Sequence, residues 1–229
     1  MINTDLHIHS CVSPCADREM TPEAIVARAR EAGLELIAVC DHNTVRSCDS
    51  AADAARAAGI GFIPGIEVTT SEDIHCIVLL PDTAKAHAFS RWLDTLRLRM
   101  PRRPAPMTRR LPIPRDPEAE ERELLYMARR ISIVDLPGAV APFGGLVWPA
   151  HADKNANSVY SVLGCWTPDL RMDAVELCAD TEPEDLPAGL PRLRGSNAHR
   201  IWDILSPGCP LPLSSPDFAG LWAYLKGEG

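Results

Sequence analysis

No stretch of the 229-residue chain approaches the ~18 consecutive apolar residues that a membrane-spanning helix needs. The chain starts directly on an apolar run, Met1 to Ile8, with no room ahead of it for a basic and then apolar export leader. A cytoplasmic protein is therefore expected. Basic charge is in short supply: 23 Lys and Arg face 31 Asp and Glu, a net charge of −8. That balance argues against a general nucleic-acid coat protein, which needs a basic face to neutralise phosphates, while leaving a local basic groove open. No Gly-x-Ser-x-Gly elbow is present, which makes a Ser/His/Asp hydrolase a poor reading. No internal repeat is present either.

Eight cysteines occur, at 11, 15, 40, 48, 76, 165, 178 and 209. Without an export leader they read as reduced thiols rather than a disulfide set. Cys11 and Cys15 stand in a C-x3-C spacing that offers zinc or an iron–sulfur cluster two soft ligands. Neither a second close pair nor C-x2-C spacing follows, so both are read as buried structural thiols.

The elements alternate. An apolar run to Ile8 is a strand; Thr21-Pro22-Glu23 starts a helix with Thr as cap, Pro at the first position and an acid in the first turn, and Gly33 ends it. Leu36 to Cys40 is a continuous apolar run, the signature of a strand buried on both faces. A helix from about Ser50 to Ala58 stops at Gly59. Strands follow at Phe62–Glu67 and Ile74–Leu80, then a helix over 83–98. Six arginines interleaved with six prolines across 99–117 interrupt regular structure; this insertion is read as exposed, with a basic flap for a phosphorylated substrate or a nucleic acid as the functional alternative. A helix is expected from Glu118 to Arg130, strands at 146–150, 174–177 and 193–195, and a final amphipathic helix opened by Ser215-Pro216. Strand–helix alternation with short connections points to parallel βαβ units, and a chain of this length suits a single α/β barrel as well as two small domains.

His7 and His9 leave one face of the first strand, close enough to share an ion. Six of the seven histidines (7, 9, 42, 75, 151, 199) fall at or near strand ends beside Asp41 and Glu67. In a parallel barrel those ends converge on one rim, where such enzymes place their chemistry. His87 lies in a helical stretch and reads as an ordinary helix-face residue.

Asp-Leu-His-Ile-His-Ser, Val-Cys-Asp-His-Asn, Pro-Gly-Ile-Glu-Val, Pro-Ala-His-Ala-Asp and Gly-Ser-Asn-Ala-His together resemble the motifs of the PHP (polymerase and histidinol phosphatase) family along nearly the whole chain. The resemblance implies a single α/β domain over 1–229, a distorted (β/α)7 TIM-like barrel holding two or three divalent ions. By motif, His7, His9, Glu67 and Asn197 would hold one ion; Glu67, His75 and His151 a second; Asp17, His42 and His199 a third. Asp17 is placed only as the acid in the loop after His-x-His, and a solvated loop acid capping Met20-Thr21 is the other reading. Asn197 stands where the family has Asp; its amide oxygen brings no charge, so the first site would hold its ion less tightly.

Histidines mixed with a carboxylate suit zinc, manganese or iron, and a carboxylate such as Glu67 can bridge two ions. Asp41 either orients an imidazole or caps the strand end. The expected activity is hydrolysis of a phosphate ester by a hydroxide bridging the ions, with His199 or water protonating the leaving group. Lys154 and Arg46 are candidate phosphate contacts. A phosphorylated small molecule is the expected substrate; a nuclease and a degenerate metal-binding scaffold are the alternatives, and no membrane partner is expected.

Overall fold

The computed structural model describes residues 1–97, 125–179, 182–205 and 208–227. The expected Arg/Pro insertion at 99–117 lies outside the described residues. In chain order the elements are β1 (Ile2–Ile8), α1 (Pro22–Glu31), β2 (Leu36–Val39), α2 (Cys48–Ala58), β3 (Gly61–Thr69), β4 (His75–Leu79) and α3 (Thr83–Asp94). There follow α4 (Leu136–Val140), β5 (Leu146–Pro149), α5 (Val159–Val162), β6 (Val175–Glu176), β7 (Arg192–Leu193), β8 (Cys209–Leu211) and α6 (Phe218–Lys226).

Local chemistry sets most of these limits. The Thr21 hydroxyl accepts the Ala24 N–H at the start of α1, and Pro22 fills a first-turn position whose N–H would have no partner. Gly59 closes α2 in the left-handed conformation, φ +71°, that a side chain resists. Asp82 and Asp217 cap α3 and α6 by accepting the N–H groups of Lys85 and Gly220. α3 stops at Asp94 rather than running to 98. Residues 125–130 form turns and a bridge between Arg97 and Arg129, not the end of a helix.

The main sheet has the order β5-β4-β3-β2-β1-β8, and β6 pairs with β7 separately. β1, β2 and β3 are parallel, as the βαβ reading expects. β4 departs from it, running antiparallel to both β3 and β5. The cause is the connection between β3 and β4: residues 70–74 form a tight turn in which Thr70 N–H donates to Ile74 C=O, and so few residues cannot cross over. β8, at the edge, also runs antiparallel to β1, and the reversal of β4 puts its start, with His75, at the same rim as the carboxyl ends of β1, β2, β3 and β5. Backbone bonds continue the wall: Asp173 N–H reaches Val147 C=O, Ala152 N–H reaches Glu176 C=O, and His9 N–H reaches Ala198 C=O.

Alternation along β2 separates two cores. Leu36 and Ala38 pack inward with Leu6, Ile63, Ile77 and Trp148, whereas Ile37 and Val39 face α1 and α2 with Ile8, Ile25 and Ala51. Burial on both faces explains why this strand is an unbroken apolar run, each large side chain contributing about 1.5–3 kcal/mol. A third cluster fills the space under α3 and α4 around Phe89, Leu93 and Leu136. Among the described residues no helix is long and apolar enough to cross a membrane.

Candidate metal centre

Glu67, on β3, is fully buried, and its carboxylate meets five imidazoles. Oε1 lies 3.5 Å from His7 Nε2, 3.1 Å from His75 Nδ1 and 3.3 Å from His151 Nε2. Oε2 lies 3.3 Å from His9 Nε2 and 3.0 Å from His42 Nδ1. Close as they are, these pairs lack hydrogen-bond geometry: both Glu67 oxygens and His42 Nδ1 are buried without a hydrogen-bond partner, as is the far nitrogen of His151, Nδ1. Buried polar atoms left this way are costly unless something else lies between them. Burial would raise the Glu67 carboxyl, but His42, His75 and His7 outweigh it and hold it well below the usual range. The backbone pays in strain at the rim, where Asn43, His151 and Asn197 have φ of 52°, 33° and 49°.

A surrounding shell decides which nitrogen of each ring is free. His7 Nδ1 lies 3.0 and 3.1 Å from the two oxygens of Glu176, a buried carboxylate on β6, so it carries the proton and Nε2 faces the cluster. Glu176 Oε1 also accepts the His151 N–H at 3.1 Å. Burial pulls His7 down, yet the carboxylates of Glu176 and Glu67 outweigh it and lift it to about 10. Gly195 makes this packing possible: a Cβ there would lie 2.5 Å from His7 Cβ and 2.9 Å from Glu176 Oε2.

Asp41 accepts from Ser10 N–H at 2.8 Å, Ser10 Oγ at 2.6 Å and Ser13 Oγ at 2.6 Å, and also from Ser47 Oγ. Because Ser13 gives its proton to Asp41, its oxygen must accept from His9 Nδ1 at 2.9 Å, which leaves His9 Nε2 with its lone pair. Both sequence readings of Asp41 hold in part, since it ties the strand end to α2 and orients an imidazole, though His9 rather than its neighbour His42. Burial lowers His9 well below the ordinary histidine value, in keeping with a neutral donor. His199 stacks on His9 with ring centres 4.3 Å apart, and its Nδ1–H donates to Asn197 C=O at 2.7 Å.

The cluster gathers His7, His9, His42, Glu67, His75, His151 and His199. Asn197 meets it through its backbone carbonyl. Asp17 is turned outward, its side chain 60% exposed and 3.8 Å from Arg200 Nε. Lys154 is exposed one turn beyond His151, to which its N–H donates, and Arg46 is exposed between His42 and α2. His87 pairs with Asp49 at 2.9 Å across α3 and α2, away from the cluster. Two residues, Glu176 and Tyr126, were not foreseen, and a third, Cys15, was set aside in the sequence as a buried structural thiol. Cys15 brings its sulfur among His9, His42 and His199, all four ligand atoms lying within 4.8 Å of one another. Glu176 was visible only as the lone charge in an apolar strand. Tyr126 lies over His42 with ring centres 4.9 Å apart and hydrogen-bonds Cys15. Asn43 holds its segment by donating to Leu125 C=O at 2.7 Å.

Donor type and orphaned atoms both fit divalent cations: His7, His9 and Glu67 form one group of converging ligand atoms, and His42, Glu67 and His75 another. An α/β scaffold whose strand ends aim histidines at one buried carboxylate defines a candidate multi-metal hydrolase. Residues 5–127 match the PHP domain, more than half of the chain, and the chain belongs to that family. It is 40% identical over 67 residues to a 5'-3' exoribonuclease of Haemophilus influenzae, across 29% of this chain and 23% of that protein. It is 38% identical over 77 residues to a 3',5'-nucleoside bisphosphate phosphatase of Chromobacterium violaceum, across 34% of this chain and 26% of that protein. The matched stretches thus span about a quarter of these relatives' lengths. In three dimensions the chain resembles the lesion-specific endonuclease Q of Pyrococcus furiosus, with a TM-score of 0.71 and 17% identity over 100% of this chain and 56% of that one. At that identity the likeness concerns the fold.

Proposed function

We propose that this chain is a metal-dependent phosphoesterase that hydrolyses a phosphate ester on a small molecule. The observation that carries the reading is the buried Glu67 carboxylate, with His7, His75 and His151 on one oxygen and His9 and His42 on the other. One imidazole set per oxygen is what a carboxylate bridging two ions presents. His7, His9, Glu67, His75 and His151 would hold that pair, and His42 and His199 a third ion. The wall around them is read as the family's distorted seven-stranded barrel, β1 to β7, closed by the backbone bonds from β5 to β6 and from Ala198 to β1.

The chemistry that ions held by these residues would supply is Lewis acidity toward the phosphate oxygens and the attacking water. Glu176, Ser13 and Asn197 each take the Nδ1 proton of an imidazole, and so keep the Nε2 lone pairs of His7, His9 and His199 on the cluster. Burial also lowers the His199 pKa. His199 is therefore assigned to binding, and the leaving oxygen takes its proton from water. Exposed Lys154 and Arg46 flank the rim, where cations suit the ester's remaining charge.

A second reading, hydrolysis of a nucleic acid, is favoured by the exoribonucleases among the relatives. The experiment is a panel of phosphate monoesters, a nucleoside 3',5'-bisphosphate and a short RNA, each with Mn²⁺, Zn²⁺ or Fe²⁺, for wild type and Glu67→Gln. Turnover by wild type that Glu67→Gln reduces to background supports the proposal. Equal rates for the two proteins, or none on any substrate, leave only a binding scaffold. Affinity that falls steeply with salt selects the nucleic acid; salt-insensitive turnover selects the small molecule.

A further inference from the structure

We propose that Cys15 is a thiolate ligand of the ion held by His42 and His199, and that this site consequently selects a thiophilic ion, zinc or ferrous iron, over manganese or magnesium. The inference rests on the metal-cluster reading above and adds a donor that the motif comparison does not supply. The motif places Asp17 in this role, but Asp17 faces outward toward Arg200. Two residues earlier the same loop turns Cys15 inward, where its sulfur shares a 4.8 Å sphere with ligand atoms of His9, His42 and His199.

Three further observations point at a ligand there. His42 Nδ1 is buried without a hydrogen bond. His199 spends its Nδ1–H on Asn197 C=O, so Nε2 is a lone pair. The Tyr126 side chain meets the sulfur, its ring centre 4.9 Å from that of His42, and Asn43 clamps the Tyr126 segment in place. Cys11 has different surroundings: it packs with Ile8, Met20 and Ile25 in the apolar layer under α1, so the C-x3-C spacing is not a chelating pair. Coordination replaces the S–H bond by a sulfur–metal bond and releases one proton to solvent. A thiolate beside imidazoles favours zinc or ferrous iron, whereas manganese and magnesium favour oxygen donors.

The test is titration of the metal-stripped full chain with Co²⁺ alone, following sulfur-to-cobalt charge transfer in the near ultraviolet and bound cobalt by elemental analysis. Wild type and Cys11→Ser are expected to show the band, and Cys15→Ser to lose it while still binding cobalt at the other sites. On unmutated protein, Zn²⁺ is expected to slow iodoacetamide labelling of Cys15 by more than about tenfold, with exposed Cys165 and Cys178 unaffected. Cobalt bound without the band, a band that survives Cys15→Ser, or labelling of Cys15 indifferent to zinc overturns the assignment of Cys15 alone. A chain that binds no cobalt overturns the cluster reading with it.

Discussion

Glu176→Gln keeps the shape of a side chain that is 2% exposed and removes its charge. In the wild type both carboxylate oxygens approach His7 Nδ1, and Oε1 also takes the His151 N–H. An amide retains one acceptor oxygen, but its NH2 group then faces Nδ1–H, donor against donor, at the 3.1 Å contact. His7 loses the partner that makes it a better electron-pair donor and the wall that fixes its ring. Partners of this kind are worth about 10–100-fold in metal affinity, or about 1.4–2.7 kcal/mol. The assay is turnover of a phosphate monoester by metal-stripped protein as Mn²⁺ is added back. The half-activating concentration is expected to rise about 10–100-fold, with the rate at saturation little changed, because Glu176 itself touches no substrate. Glu176→Ala also strands the buried His151 N–H, and thermal unfolding is expected to register a further loss of about 1–3 kcal/mol. Metal activation within about twofold of wild type in both variants, set against the expected tenfold or more, would refute the claim that Glu176 positions His7.

Gly195→Ala forces a methyl against His7 and Glu176, and is expected to cost about 1–3 kcal/mol, at roughly 2–4 °C of Tm per kcal/mol in a chain of this size. An unchanged melting curve would show that the pocket has room. Asp41→Asn offers a donor where three serine hydroxyls and one backbone amide need an acceptor, and is expected to lose about 1.5–3 kcal/mol together with metal affinity, through His9; loss of stability with metal affinity intact would separate Asp41 from the imidazole. Thr21→Ala removes the α1 cap, so a drop of about 1 kcal/mol with unaltered metal affinity is expected, and a change in both would mean that α1 and the cluster are coupled.

Helix ends were legible wherever a single residue satisfies or forbids a backbone group, as with Thr21, Pro22 and Gly59. β2 was legible because burial on both faces demands an apolar run. Reversal of β4 was hidden, since residues 62–67 and 74–80 each read as strands and hydrophobicity carries no direction. The five-residue turn between β3 and β4 was the overlooked signal. The helix expected at 118–130 failed over its described end because residues 125–130 turn beneath Asn43 and pair with Arg97 instead of winding.

Residue types and their order along the chain determined that histidines and one glutamate would gather at strand ends, because strand and helix periods are local properties. The particular nitrogen each histidine presents, the inward turn of Cys15 and outward turn of Asp17, and the contacts that Glu176 and Tyr126 make with the imidazoles belong to the tertiary structure alone. Each depends on which of two atoms a few ångströms apart points inward. That direction is set by contacts between residues as far apart in the chain as His7 and Glu176, to which no local pattern refers.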